Sequence, residues 1–153
     1  MDWHNRAVLR LKKGDMEGAL ADPSRALELE PGLVAAWRTR GLVRSATNDL
    51  DGAIADYTKA IELDPKLGDS WTDRGSAHGQ KGDYDAAIAD FSRAIELSPG
   101  DVRAWERRGQ AHMLKGEGEQ AIADLTHALE LDPSGPEAPS IRGLLENARK
   151  RAP

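Results

Sequence analysis

The sequence predicts an all-α solenoid of four helix-turn-helix units followed by one terminal helix. Three observations predict it. All four tryptophans stand one every 34 residues, at Trp3, Trp37, Trp71 and Trp105. Four prolines keep the same step, at Pro31, Pro65, Pro99 and Pro133. Small residues fill further columns in register: Ala19, Ala53, Ala87 and Ala121; Ala26, Ala60, Ala94 and Ala128; and Ala7, Gly41, Gly75 and Gly109. A fixed period of that length marks a stack of supersecondary units, none of which buries its apolar face alone.

The units run roughly over 1–33, 34–67, 68–101 and 102–135, and the remainder, 136–153, forms the terminal helix. Each unit reads as two helices. In the third, the first helix runs from Asp69 to about Lys81 and the second from Tyr84 to Leu97. Gly82 sits between them, where a helix C-terminus calls for a left-handed residue. Gly14 and Gly116 share its column, and Asn48, the usual substitute, takes it in the second unit. In that unit Ile54, Tyr57, Ala60 and Ile61 fall on one face of the second helix. Pro65 then ends it, since proline lacks the N–H and disfavours a helical residue before it. Gly41 and Ala53 belong at the crossing of the two helices, where absent bulk lets backbones approach. The tryptophans are expected to fill the wedge beside them.

Two units depart from the pattern. Pro23 stands where the others have Tyr57, Phe91 and Leu125, and a proline inside a helix is expected to kink or break it, which makes the first repeat the weak, frayed end. In the tail, Arg142-Gly143 copies Arg108-Gly109 after one full period, with Pro139 in the tryptophan column. Leu144, Leu145 and Ala148 make one side apolar, and the cations Arg149, Lys150 and Arg151 suit the helix C-terminus. This helix is expected to cap the last repeat.

The order Trp37, Gly41, Ala53, Tyr57, Ala60, Pro65 recurs as Trp71, Gly75, Ala87, Phe91, Ala94, Pro99 and as Trp105, Gly109, Ala121, Leu125, Ala128, Pro133. In this the chain resembles the tetratricopeptide repeat (TPR) family over roughly residues 1–133. The resemblance implies a right-handed superhelical solenoid of four TPR units, with the terminal segment as a C-terminal capping helix. The family usually carries Leu just before the repeat glycine. Here that position is Arg6, Arg40, Arg74 and Arg108, and a matching acidic column holds Asp22, Asp56, Asp90 and Asp124. Arginine meets a carboxylate with two bonds, so these columns are expected to form bridges between helices.

The resemblance also implies that first helices line a concave groove for a peptide or partner protein. The groove residues are then Arg38, Thr39, Leu42, Asp69, Asp73, Ser76, Arg103, Glu106, Arg107 and Gln110. The family's clamp for a chaperone C-terminal carboxylate is not matched, because Leu42 and Asp73 stand where it needs asparagines and Asp73 repels a carboxylate. The function expected is a scaffold or adaptor that holds a protein or peptide ligand. The alternative is structural self-assembly into a homo-oligomer through the solenoid ends.

Composition excludes several other classes. The chain has 153 residues, 39% hydrophobic and 31% charged, with a net charge of −5 and no cysteine. Cysteine-ligated metals and disulfides are therefore absent. A chain without a basic cluster gives no footprint for nucleic acid, and no run is long and apolar enough for a membrane. The polar start Met1-Asp2-Trp3-His4 carries no secretory signal, and a cytoplasmic setting is the default. No enzyme is expected, and no cofactor or metal. His78 and His112 share a column on neighbouring repeats, where helix axes stand about 8–10 Å apart or more, so one zinc ion is not expected to bridge them unaided. Gly75 to Lys81 lacks phosphate-loop spacing. Asp49, Asp51, Asp83 and Asp85 sit where they complement helix N-termini.

Overall fold

The computed structural model describes residues 3–151, which leaves Met1 and Asp2 of the polar start and the last two residues of the tail outside the description. Nine helices occur among the described residues. They are α1 (Trp3–Lys12), α2 (Met16–Leu29), α3 (Val34–Ala46), α4 (Leu50–Leu63), α5 (Gly68–Gln80), α6 (Tyr84–Leu97), α7 (Val102–Lys115), α8 (Gly118–Leu131) and α9 (Ala138–Arg151). The third repeat's helices thus lie within one residue of the expected bounds. The described residues fall into two compact units that divide between Ala77 and His78.

The helix ends follow from the repeat columns. Asp15, Asp49 and Asp83 cap α2, α4 and α6, each carboxylate accepting the backbone N–H three residues on, at 2.9, 3.0 and 3.2 Å. Gly14, Gly82 and Gly116 take left-handed φ values of 78°, 82° and 88°, and Asn48 takes 65°, as their column requires.

In the first unit α1 packs on α2, α3 on α4, and α3 also on α1 and α2. Its core includes Ala53, Tyr57 and Ala77, with Leu42 and Ile54 against them. Tyr57 closes over Gly41 so tightly that a Cβ there would stand 2.7 Å from its ring. Burial, and then the nearby Asp73, push the Tyr57 phenol above its ordinary value, so it stays neutral. The expectation for Pro23 is corrected here: α2 runs unbroken through it from Met16 to Leu29. Its ring is fully buried in the column of Tyr57. The burial offsets the lost backbone bond, and Ala7 replaces the glycine that makes room for Tyr57.

In the second unit α7 packs on α6 and α8, and α9 on α8 and α7. Leu125 closes over Gly109 as Tyr57 does over Gly41, with 2.9 Å to a would-be Cβ. The largest cluster joins Ala121, Leu125 and Ala128 of α8 to Ile141, Leu145 and Ala148 of α9, with Trp105 and Leu144 packed beside it. The tail is therefore a helix whose apolar side covers the last repeat. Its buried side centres on Ile141 and Leu145 rather than on Leu144.

Candidate functional site

The tryptophan, proline, arginine and aspartate columns form one assembly. Trp37, Trp71 and Trp105 each donate their Nε1–H to the carbonyl of the proline six residues earlier, Pro31, Pro65 and Pro99, at 2.7, 3.0 and 2.9 Å. The guanidinium three residues after each tryptophan lies over its ring: Arg40 at 4.7 Å, Arg74 at 5.0 Å and Arg108 at 4.9 Å. In the first, second and fourth repeats the arginine then grips the aspartate of the second helix with two bonds. These are 2.6 and 2.8 Å for Arg6–Asp22, 2.9 and 2.7 Å for Arg40–Asp56, and 2.8 and 2.8 Å for Arg108–Asp124. Two of the arginines reach back one repeat: Arg74 donates to Thr58 Oγ1 at 3.1 Å, and Arg108 to Ser92 Oγ at 3.0 Å. These columns are structural, and their side chains are spent on holding helices together.

The expected groove residues divide between the two units. In the first, Arg38, Thr39 and Leu42 lie on α3 and Asp69, Asp73 and Ser76 on α5. Arg38 is committed to its neighbours: Nε donates to Asp73 Oδ2 at 2.6 Å and Nη1 lies 3.1 Å from Asp69 Oδ2. Burial works to lower the Arg38 pKa, but the two carboxylates outweigh it and hold the guanidinium above its ordinary value. Thr39 is only 2% exposed, and its hydroxyl lies 2.7 Å from His4 Nδ1. A cavity of about 200 Å³ opens among His4, Ala35, Arg38, Thr39 and Leu42. Ser76 donates to the Thr72 carbonyl at 2.9 Å.

In the second unit Arg103, Glu106, Arg107 and Gln110 lie on α7. Arg107 is exposed. Arg103 Nε is 3.5 Å from Asp101, and Glu106 accepts from Ser140 Oγ of α9 at 3.3 Å. His112 lies 2.6 Å from Glu117 Oε2 and 3.8 Å from Asp124, and His78 lies 3.8 Å from Asp83. They occupy the column of Arg10 and Arg44, which likewise face the acid five residues on and Asp22 or Asp56. Among the described residues no three metal-ligating side chains gather to hold an ion, and no helix is long and apolar enough to cross a membrane.

Sequence reasoning missed the Arg38–Asp73 and His4–Thr39 pairs. Both join consecutive first helices at a separation of 35, one period plus one residue. Scanning for charge and countercharge at that offset would have found the first.

This fold and its columns define a helical-repeat protein. Residues 72–153 match the family described as tetratricopeptide repeat, and residues 41–82 match TPR repeat. The chain belongs to the tetratricopeptide repeat family. No curated protein matches it by sequence. Among solved structures, a crystal structure of MamA superposes with TM-score 0.80 at 24% identity, covering 99% of this chain and 91% of that one. The TPR2B domain of yeast Sti1 in complex with pHsp70 gives 0.76 at 27% identity, covering 78% and 98%. The first TPR of Spaghetti (RPAP3), bound to the HSP90 peptide SRMEEVD, gives 0.69 at 27% identity, covering 76% and 93%. The all-α repeat class expected from the sequence is the class these structures share.

Proposed function

We propose that this chain is a non-catalytic, cytoplasmic scaffold or adaptor that holds a peptide segment of a partner protein along its first helices. The observation that carries this reading is the cavity of about 200 Å³ beside Arg38. It combines apolar walls (Ala35, Leu42) with fixed polar groups (Arg38, His4 and Thr39), the mixture that orients a bound side chain. Asp69 and Asp73 hold Arg38 in place before any ligand arrives, which reduces the ordering cost of binding. The Sti1 and RPAP3 domains were solved with partners bound, and their likeness supports the same use here. The partner differs in chemistry from a chaperone carboxylate tail, since Asp73 sits in the place of a clamp asparagine. Arg107, exposed on α7, suits an acidic side chain.

Removing Arg38 is a poor test, because it also breaks the bridges to Asp69 and Asp73. Filling the cavity is cleaner. Peptides selected from a displayed random library on the parent chain should bind Ala35→Tyr at least about tenfold more weakly. Equal binding to the parent and to this variant would remove the cavity from consideration.

One observation favours self-assembly as a second reading. Leu9 is 43% exposed in the column where Val43, Ala77 and Ala111 are buried. If copies stack there, sedimentation mass will rise with concentration, and Leu9→Lys will abolish the rise.

A further inference from the structure

The terminal helix carries a receptor that the repeats show in use. In the second repeat the pair Arg40-Gly41 receives two consecutive side chains of the following helix. Arg40 forks Asp56 at 2.9 and 2.7 Å, and Gly41 admits the ring of Tyr57, which leaves 2.7 Å to a would-be Cβ. In the fourth, Arg108 forks Asp124 and Gly109 admits Leu125. Arg142-Gly143 repeats the pair on α9.

Here the receptor is open. A Cβ on Gly143 would meet nothing within 4 Å. Arg142 is exposed, faces no carboxylate among the described residues, and donates Nη2–H to the Pro133 carbonyl at 2.5 Å. The buried side of α9 is a different one, formed by Ala138, Ile141, Leu145 and Ala148. The helix is net cationic: Arg142, Arg149, Lys150 and Arg151 stand against the single acid Glu146, which takes the column where Arg44 and His112 also face the aspartate and which Lys150 bridges at 2.7 Å.

We infer that the Arg142–Gly143 face of α9 docks an acidic amphipathic helix of a partner protein, one that presents an aspartate followed at once by a large apolar residue. The aspartate takes the Arg142 fork, and the apolar side chain lies on the bare backbone at Gly143. The cations of the last turn steer an acidic helix to this end. This surface is separate from the cavity beside Arg38, so the inference stands or falls independently of the groove.

A synthetic peptide of residues 49–64, which carries Asp56-Tyr57 and is acidic overall, is a suitable probe. Titrated into the full chain, it should bind saturably and shift the amide resonances of residues 141–147. Gly143→Leu, Arg142→Glu, or a peptide with Asp56→Ala and Tyr57→Ala should each weaken binding at least about tenfold. Circular dichroism of both protein variants should match the parent, because both positions are exposed. The inference is overturned if binding does not saturate at about 1 mM, a weak contact by any standard. Shifts confined to residues 34–64, where the probe would be exchanging with α4, overturn it as well, as does unchanged binding to both variants. Sedimentation of the chain alone covers the other occupant. Self-association that disappears with Gly143→Leu would put a second copy on this face and overturn the assignment to a partner.

Discussion

The repeat tryptophan is anchored at both its polar and its aromatic parts. Its indole N–H is held by a proline carbonyl and its ring by a guanidinium, so neither column drifts without the other. The repeat glycine has an equally local reason, and its substitution separates packing from helix propensity. Gly41→Ala should destabilise the fold by about 1–3 kcal/mol, because the new methyl presses on the immobile Tyr57 ring. Gly143→Ala should stabilise by about 0.5–1 kcal/mol, since nothing opposes the gain in helix propensity. Denaturant titration of the two variants checks both signs. Ser70 gives a second test at this scale. Its buried hydroxyl has no hydrogen-bond partner, while Ala36, Ala104 and Ala138 fill the same column. Ser70→Ala should therefore raise stability by about 1 kcal/mol, the desolvation cost of an orphaned hydroxyl. A loss on the same titration would mean that the hydroxyl is satisfied.

At the scale of the element, α2 shows how a helix tolerates an interior proline. Proline costs on the order of 3 kcal/mol in a helix interior, yet α2 is continuous and Pro23 is buried. The size change is matched across the pair: Ala7 with Pro23, Gly41 with Tyr57, Gly109 with Leu125. Pro23→Tyr alone should then destabilise by overpacking against Ala7. The double variant Ala7→Gly, Pro23→Tyr should restore the backbone bond and exceed the parent in thermal midpoint, and a melt of the three proteins decides it. The pairing also explains what could be read in advance. Helix positions, left-handed turns and the Arg–Asp columns were legible because each is fixed within one period and recurs. The fate of Pro23 was not, because propensity weighs the lost bond and ignores burial that only the folded pair supplies. The floor of the cavity was hidden for another reason: Arg38 meets Asp73, and His4 meets Thr39, only once first helices of neighbouring repeats lie side by side.

For the whole molecule, the ion pairs set the direction in which pH acts, and each unit contains a carboxylate shifted downward. In the first, the Asp22 carboxyl is held below its ordinary range, chiefly by the hydrogen bond from Arg6, against the opposing effect of burial and with further help from the charges of Arg10 and Arg6. In the second, Glu117 is lowered first by Lys115 and then by His112. A carboxylate whose folded pKa lies below its unfolded value stabilises the fold at pH above the unfolded value. The contribution is lost as pH falls through the folded one. Unfolded carboxylates titrate near about 4, so these carboxylates should leave stability level between about pH 7 and 5 and lower it below about pH 4. Asp22→Asn isolates the contribution of the first unit. At pH 7 it should melt below the parent, by a small margin because Arg6 is 44% exposed and water screens the pair. The substituted amide does not titrate, so the margin should shrink as acid neutralises Asp22 in the parent. Melts of both proteins across pH 7 to 3 measure the margin directly. A margin that stays constant or widens in acid would show that the Arg6–Asp22 bridge contributes nothing through its charge.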